Sequence, residues 1–169
     1  MTILNLVSSN NPILKTPTQE FDFANPPMDP AQLVKDLAET MIDKKGLGLS
    51  ANQCGIPYRV FVINGNPIQG CFNPKIVNAS EDIISLDEGC LSYPGLILKV
   101  KRPKNIRVRY TMANGQTVTH KFEGLTARCF LHEYDHLQGI VHLTKASLYH
   151  REKALKNQKI YNRILERSA

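Results

Sequence analysis

The chain has 169 residues, 42% hydrophobic and 21% charged, long enough to bury one core without metals or disulfides as staples and too apolar to be disordered. No stretch approaches the roughly 18 apolar residues of a membrane span, and the start, Met1 to Val7, has no basic region and is broken by Asn5, so it does not read as a secretory signal and a cytoplasmic location is expected. The net charge of +6 is uneven: from Lys145 onward seven basic residues stand against two acidic ones, +5, which leaves +1 for the rest.

To about Asn25 the chain reads as loop. Asp29-Pro30 then has the form of a helix start, with Asp as cap and Pro in the first turn. Leu33, Leu37 and Met41 give that helix one apolar face, and Gly46 is the expected left-handed stop. The run Gly46-Leu47-Gly48-Leu49-Ser50-Ala51-Asn52-Gln53 is small and flexible in character, and its glycines allow close approach of backbone. Strands are expected at 58–63, 75–77, 83–86 and 96–100. The alternation of Ile106, Val108 and Tyr110 with Arg107 and Arg109 predicts a half-buried strand, turned at Asn114-Gly115 and answered by 118–122. Leu125, Cys129, His132 and His136 then form one stripe of a helix over about 126–138, stopped by Gly139. A last helix is expected over about 146–165. Strands followed by helices, without a βαβ rhythm, predict an α+β fold: mainly antiparallel strands around a central helix, with a C-terminal helix. Residues 1–145 are expected to form the catalytic domain and 146–169 a basic extension of it.

His132-Glu133-Tyr134-Asp135-His136 is an HExxH motif. On a helix, residues four apart face the same way, so both imidazoles can bind one metal. Glu133 sits beside that site, where it can take a proton from water. A catalytic site of this kind needs a third protein ligand and one open position. The continuation after His136 offers no histidine at metzincin spacing, and Glu166 lies on the basic tail. Cys129 is excluded by helix geometry, since it lies about 10.5 Å from His136 along the axis. Cys54 and Cys71 show no local pattern. Cys90 differs. It follows Gly89 in a tight stretch after a strand, and its thiolate could complete a Cys/His/His set while the next backbone N–H, at Leu91, faces substrate.

Three segments together resemble the peptide deformylases. Gly46–Gln53 is similar to that family's G-φ-G-φ-A-A-x-Q, Glu88-Gly89-Cys90-Leu91-Ser92 matches EGCLS, and His132–Gly139 matches HExDHLxG, in the family's order and spacing. Two positions depart from the pattern. Ser50 stands for the usual Ala, and Leu131 for the usual Gln, which puts a supporting hydrogen bond near the site in question.

The resemblance implies removal of the formyl group from N-formylmethionyl peptides. It implies Cys90, His132 and His136 as metal ligands, Glu133 as acid/base, and the Gln53 amide and Leu91 N–H as oxyanion donors. It implies one divalent metal, Fe2+ natively, with Zn2+, Ni2+ or Co2+ also suited to a thiolate site. By motif position Gly46, Leu125, Cys129 and the aliphatic edge of His132 line the methionine pocket, Gly48 and Gly89 also belong to the substrate-binding residues, and Ile97 stands near them. The C-terminal helix carries Lys156, Lys159, Arg163 and Arg167 on one face, which fits docking to the phosphate-rich ribosome rather than to specific DNA or a membrane. An HExxH protease cleaving internal peptide bonds is the rival hydrolase. A closed structural-metal or RNA-binding module is the rival outside enzymes. His120, His142 and His150 are expected on the surface or in loops.

Overall fold

In the computed structural model residues 2–168 are described, so Met1 of the N-terminal run and Ala169 of the basic extension lie outside the described residues. The chain forms α1 (Pro30–Asp43), β1 (Gly48–Ser50), β2 (Val60–Ile63), β3 (Gln69–Ala79), β4 (Ile83–Glu88), β5 (Leu98–Pro103), β6 (Asn105–Thr111), β7 (Thr117–Glu123), α2 (Gly124–Leu137) and α3 (Leu148–Ser168). Five strands make an antiparallel sheet in the order β1-β2-β3-β6-β7, and β4 and β5 form a separate hairpin. This is the expected α+β architecture.

Helix α1 begins as its sequence predicts. The Asp29 carboxylate accepts from the N–H groups of Ala31 and Gln32, and Leu33, Leu37 and Met41 are buried. Its end differs. The helix stops at Asp43, and Lys45 takes the left-handed conformation at φ 56. Gly46 is needed elsewhere: a Cβ there would stand 2.7 Å from Leu91 Cδ1. The run after it is also not loose. Gly48–Ser50 is strand β1, Ala51–Cys54 is a turn of 3-10 helix, and 48–53 is buried throughout. Small residues there serve close packing rather than mobility.

Helix α2 lies across the five-stranded sheet. Phe130, Leu131 and Leu137 pack with Phe61, Ile63, Val108 and Tyr110 into one core. The opposite side of α2 faces β1 and β5 and carries the two motif histidines. Burying one stripe in a core and the other in a polar cleft is what a helix with histidines among apolar residues requires. Strand β6 shows the predicted alternation, with Ile106, Val108 and Tyr110 buried and Arg107 and Arg109 exposed. Gly139, at φ 70, ends the α2 segment. Helix α3 starts two residues later than expected and docks by its first turns, where buried Ala154 packs with Leu96, Leu98 and Val100.

Candidate active site

Three elements meet at one point. The motif histidines rise from α2, Cys90 follows the end of β4, and Gln53 follows β1. The Cys90 Sγ lies 3.2 Å from His136 Nε2. One ligand atom from each of Cys90, His132 and His136 falls within 4.8 Å of the others. Cys90 therefore joins the two histidines, which sequence alone could only suggest. Cys129 does not: its thiol donates to the Leu47 carbonyl at 3.1 Å, and burial, with Glu133 nearby, holds its pKa well above the usual value.

The donor set fits a divalent ion of borderline softness. Its electrostatics fit as well. Burial works to lower the His132 pKa, but Cys90, Glu88 and Glu133 outweigh it and hold the value up to about 10. Cys90, Glu88 and Glu133 thus give His132 surroundings of the sign that attracts a cation. His136 is pushed the other way, well below its usual value, by burial and by His132. A neutral imidazole is the form that ligates.

A buried ionic frame supports this group. His132 Nδ1 lies 3.4 Å from Glu88 Oε1, which orients the ring so that Nε2 faces the site. Arg102 Nε reaches both Glu88 oxygens at 2.8 Å, and its NH1 binds Asp135 Oδ2 at 2.8 Å. Arg128 adds a 3.2 Å contact to Glu88. Burial alone would raise the Glu88 pKa, yet the bonds to His132 and Arg102 carry it down to about 2. Leu131 points away from all this into the sheet core, 8% exposed. Glu88 gives His132 the support that a side chain at 131 does not.

Glu133 is buried beside the histidines. Its Oε2 accepts from the Ser50 hydroxyl at 2.7 Å. Burial raises its pKa, with His132 and Ser50 opposing. A carboxyl so held is suited to carrying a proton. Gln53 Oε1 accepts from the Ser50 N–H at 2.9 Å, which leaves its Nε2 toward Ser92 Oγ, 2.9 Å away, and Cys90 Sγ at 3.6 Å. The Gln53 nitrogen thus faces the site as a donor.

These groups open onto a cavity of about 340 Å3. Gly46, Gly48, Gly89, Leu91, Leu125 and Cys129, all expected at the site, line it, as does Ile97. Leu125 stands at its rim, 59% exposed, rather than deep inside. Lys45, Asp87, Tyr93 and Gly95 also line the wall, and sequence reading had missed them. Spacing gave no signal for them, because the wall joins β4, α2 and connecting segments that only the tertiary fold brings together. His142 was expected at the surface but is 2% exposed, with Nε2 3.2 Å from the Leu96 carbonyl. Its ring lies 5.6 Å from that of His132. It escaped notice because the turn that carries it folds back under β5. Lys156, Lys159, Arg163 and Arg167 are all exposed along α3, and none of them lines the cavity.

Comparison with known proteins identifies the family. The family model described as polypeptide deformylase matches residues 3–152. A peptide deformylase of Aquifex aeolicus (strain VF5) is 36% identical over 171 residues, covering 97% of this chain and 98% of that protein. One from Agrobacterium fabrum (strain C58 / ATCC 33970) is 34% identical over 163 residues, covering 92% and 94%. Among solved structures, a peptide deformylase from Synechococcus elongatus in complex with actinonin superimposes with a TM-score of 0.86 at 32% identity, covering 92% of this chain and 86% of the other. One from Ehrlichia chaffeensis, also in complex with actinonin, gives 0.84 at 36% identity, covering 96% and 99%. The family model spans most of the chain and the relatives cover nearly all of it, so the chain belongs to the polypeptide deformylase family, a family of enzymes.

Proposed function

We propose that this enzyme removes the formyl group from the N-terminal methionine of nascent polypeptides, releasing formate, and that Cys90, His132 and His136 hold the one divalent metal ion it needs. The observation that carries this reading is the gathering of those three ligand atoms within 4.8 Å beside a buried Glu133 at the wall of a cavity. Fe2+ is the native ion in this reading, with Zn2+, Ni2+ or Co2+ as substitutes. When bound, the ion supplies a nucleophilic water near neutral pH and polarises the carbonyl.

The protein's own groups do the rest. Water attacks the formyl carbon, and Glu133 takes its proton. The developing oxyanion is met by the Gln53 Nε2 and the Leu91 N–H as donors. The C–N bond breaks, Glu133 delivers the proton to the departing nitrogen, and formate and a free N-terminus leave. The methionine side chain lies against Gly46, Gly48, Gly89, Leu125 and Cys129. Glu88 holds His132 in its ring orientation throughout.

Residues 1–145 form the catalytic domain and 146–169 extend it. The exposed row Lys156, Lys159, Arg163 and Arg167 is the surface we assign to ribosomal RNA phosphates, which would bring the enzyme to its substrate. No helix among the described residues is long and apolar enough to cross a membrane, and a cytoplasmic location suits a co-translational task. The test is formate release from an N-formylmethionyl peptide. The reading expects formate and one new amine per turnover with the internal peptide bonds intact. Cleavage of those bonds instead would make the protein an HExxH protease.

A further inference from the structure

We infer that Ser50 is a positioning residue for deformylation, its hydroxyl fixing the Glu133 carboxylate; this rests on the reading of Glu133 as the proton carrier. Ser50 ends strand β1 and is 0% exposed. Its Oγ lies 2.7 Å from Glu133 Oε2 and 3.1 Å from the Glu133 backbone oxygen. One hydroxyl proton can serve one acceptor, and the charged carboxylate is both the nearer and the stronger. Among the described residues no other side chain hydrogen-bonds this carboxylate.

The other oxygen of the carboxylate, Oε1, has close neighbours but no hydrogen-bonding side chain among the described residues. Oε1 lies against Gly48, which has no side chain to restrain it. The terminal torsion of a glutamate is broad and nearly two-fold. Without the hydroxyl the group can turn, and the oxygen beside Gly48 loses its fixed direction toward the cavity. A proton carrier must hold hydrogen-bond reach to water and then to the leaving nitrogen, so a loosened carboxylate lowers turnover more than binding.

Ser50 also touches the second half of the site, through its backbone. Its N–H orients Gln53 by donating to Oε1 at 2.9 Å. That bond does not depend on the side chain, so Ser50→Ala removes the hydroxyl alone. Alanine is the residue usual at this place in the motif the chain resembles, so Ser50→Ala keeps a residue that motif accommodates.

The experiment is steady-state formate release by the metal-loaded enzyme for wild type, Ser50→Ala and Ser50→Thr, with metal content and thermal midpoint measured on each. The expected result is a fall in kcat of about tenfold for Ser50→Ala, the size of one hydrogen bond to a charged group. KM should stay within about twofold, with metal content unchanged, and Ser50→Thr should regain most of the loss because the hydroxyl returns. A Ser50→Ala kcat within about twofold of wild type overturns the inference. So does a fall that only tracks lost metal, or a folded, metal-loaded Ser50→Thr that stays at the alanine level. A wild type that releases no formate brings down the functional reading itself, and Ser50 with it.

Discussion

Gly48 lies directly against Glu133: a Cβ built on the glycine would stand 2.6 Å from Oε1 and 2.8 Å from Cγ of the glutamate, and 2.9 Å from Cys129 Sγ. Gly48→Ala therefore spares the backbone and displaces the carboxylate. A misplacement of about 1 Å can cost about 10²-fold in rate. Formate release should fall to that extent while the far-ultraviolet dichroism and metal content stay as in wild type. Near-wild-type turnover would mean the carboxylate has room it does not have in this structure.

Arg102 stands between two buried carboxylates, those of Glu88 and Asp135. Arg102→Met leaves both without their main partner. Breaking such a pair from one side typically costs about 3–5 kcal/mol. Urea unfolding should show a loss of that order, with weaker metal retention because His132 leans on Glu88. The acid side should change too. The Glu88 pKa is lowered in the fold, to about 2, so its contribution is full above the unfolded value of about 4.3 and is lost as pH falls through the folded value. Without Arg102 the variant should unfold at a higher pH than wild type.

The fold was legible where periodicity speaks. The apolar face of α1, the alternation in β6 and the stripe of α2 all follow from residue spacing, because one side of each element meets a core. The ligand cluster was legible where chemistry is concentrated in a few residues, HExxH and Cys90 after a glycine, whereas Gln53 entered only through the family resemblance. What could not be read is what the tertiary fold supplies. Lys45 rather than Gly46 takes the left-handed turn because Gly46 is needed against Leu91. Arg102 carries no local signal in sequence, and it joins Asp135 and Glu88 in a buried frame only through the packing of β5 on α2. His142 is buried by a turn whose course no local pattern fixes.

That histidine carries a pH signature. Burial lowers the His142 pKa to about 4, with His132 adding to the shift. Its folded pKa lies below its unfolded value of about 6.5, so the unfolded chain takes up the proton first. Stability from this group is therefore lost as pH falls from about 6.5 toward 4 and is constant above. His142→Gln keeps a donor for the Leu96 carbonyl and has no proton to gain. Its thermal midpoint should fall less than that of wild type between pH 7 and pH 5. Parallel curves would show that His142 is not the buried neutral group described.

Replacing Lys156, Lys159, Arg163 and Arg167 by Ala should leave formate release from short peptides unchanged, since all four are exposed on α3. Binding to ribosomes should weaken, and its dependence on salt should flatten as phosphate contacts disappear. Equal co-sedimentation of the variant and wild type with ribosomes across the salt range would remove this helix face from any docking role.

The most direct measurement is metal stoichiometry together with formate release on anaerobically purified wild type, Cys90→Ser and Glu133→Ala. Wild type should carry one ion per chain and release formate. Cys90→Ser should lose the ion and, with it, turnover. Glu133→Ala should keep the ion and lose about 10²- to 10⁴-fold in turnover, the usual worth of a positioned proton carrier. Full metal occupancy in Cys90→Ser, or near-normal formate release in Glu133→Ala, would contradict the account.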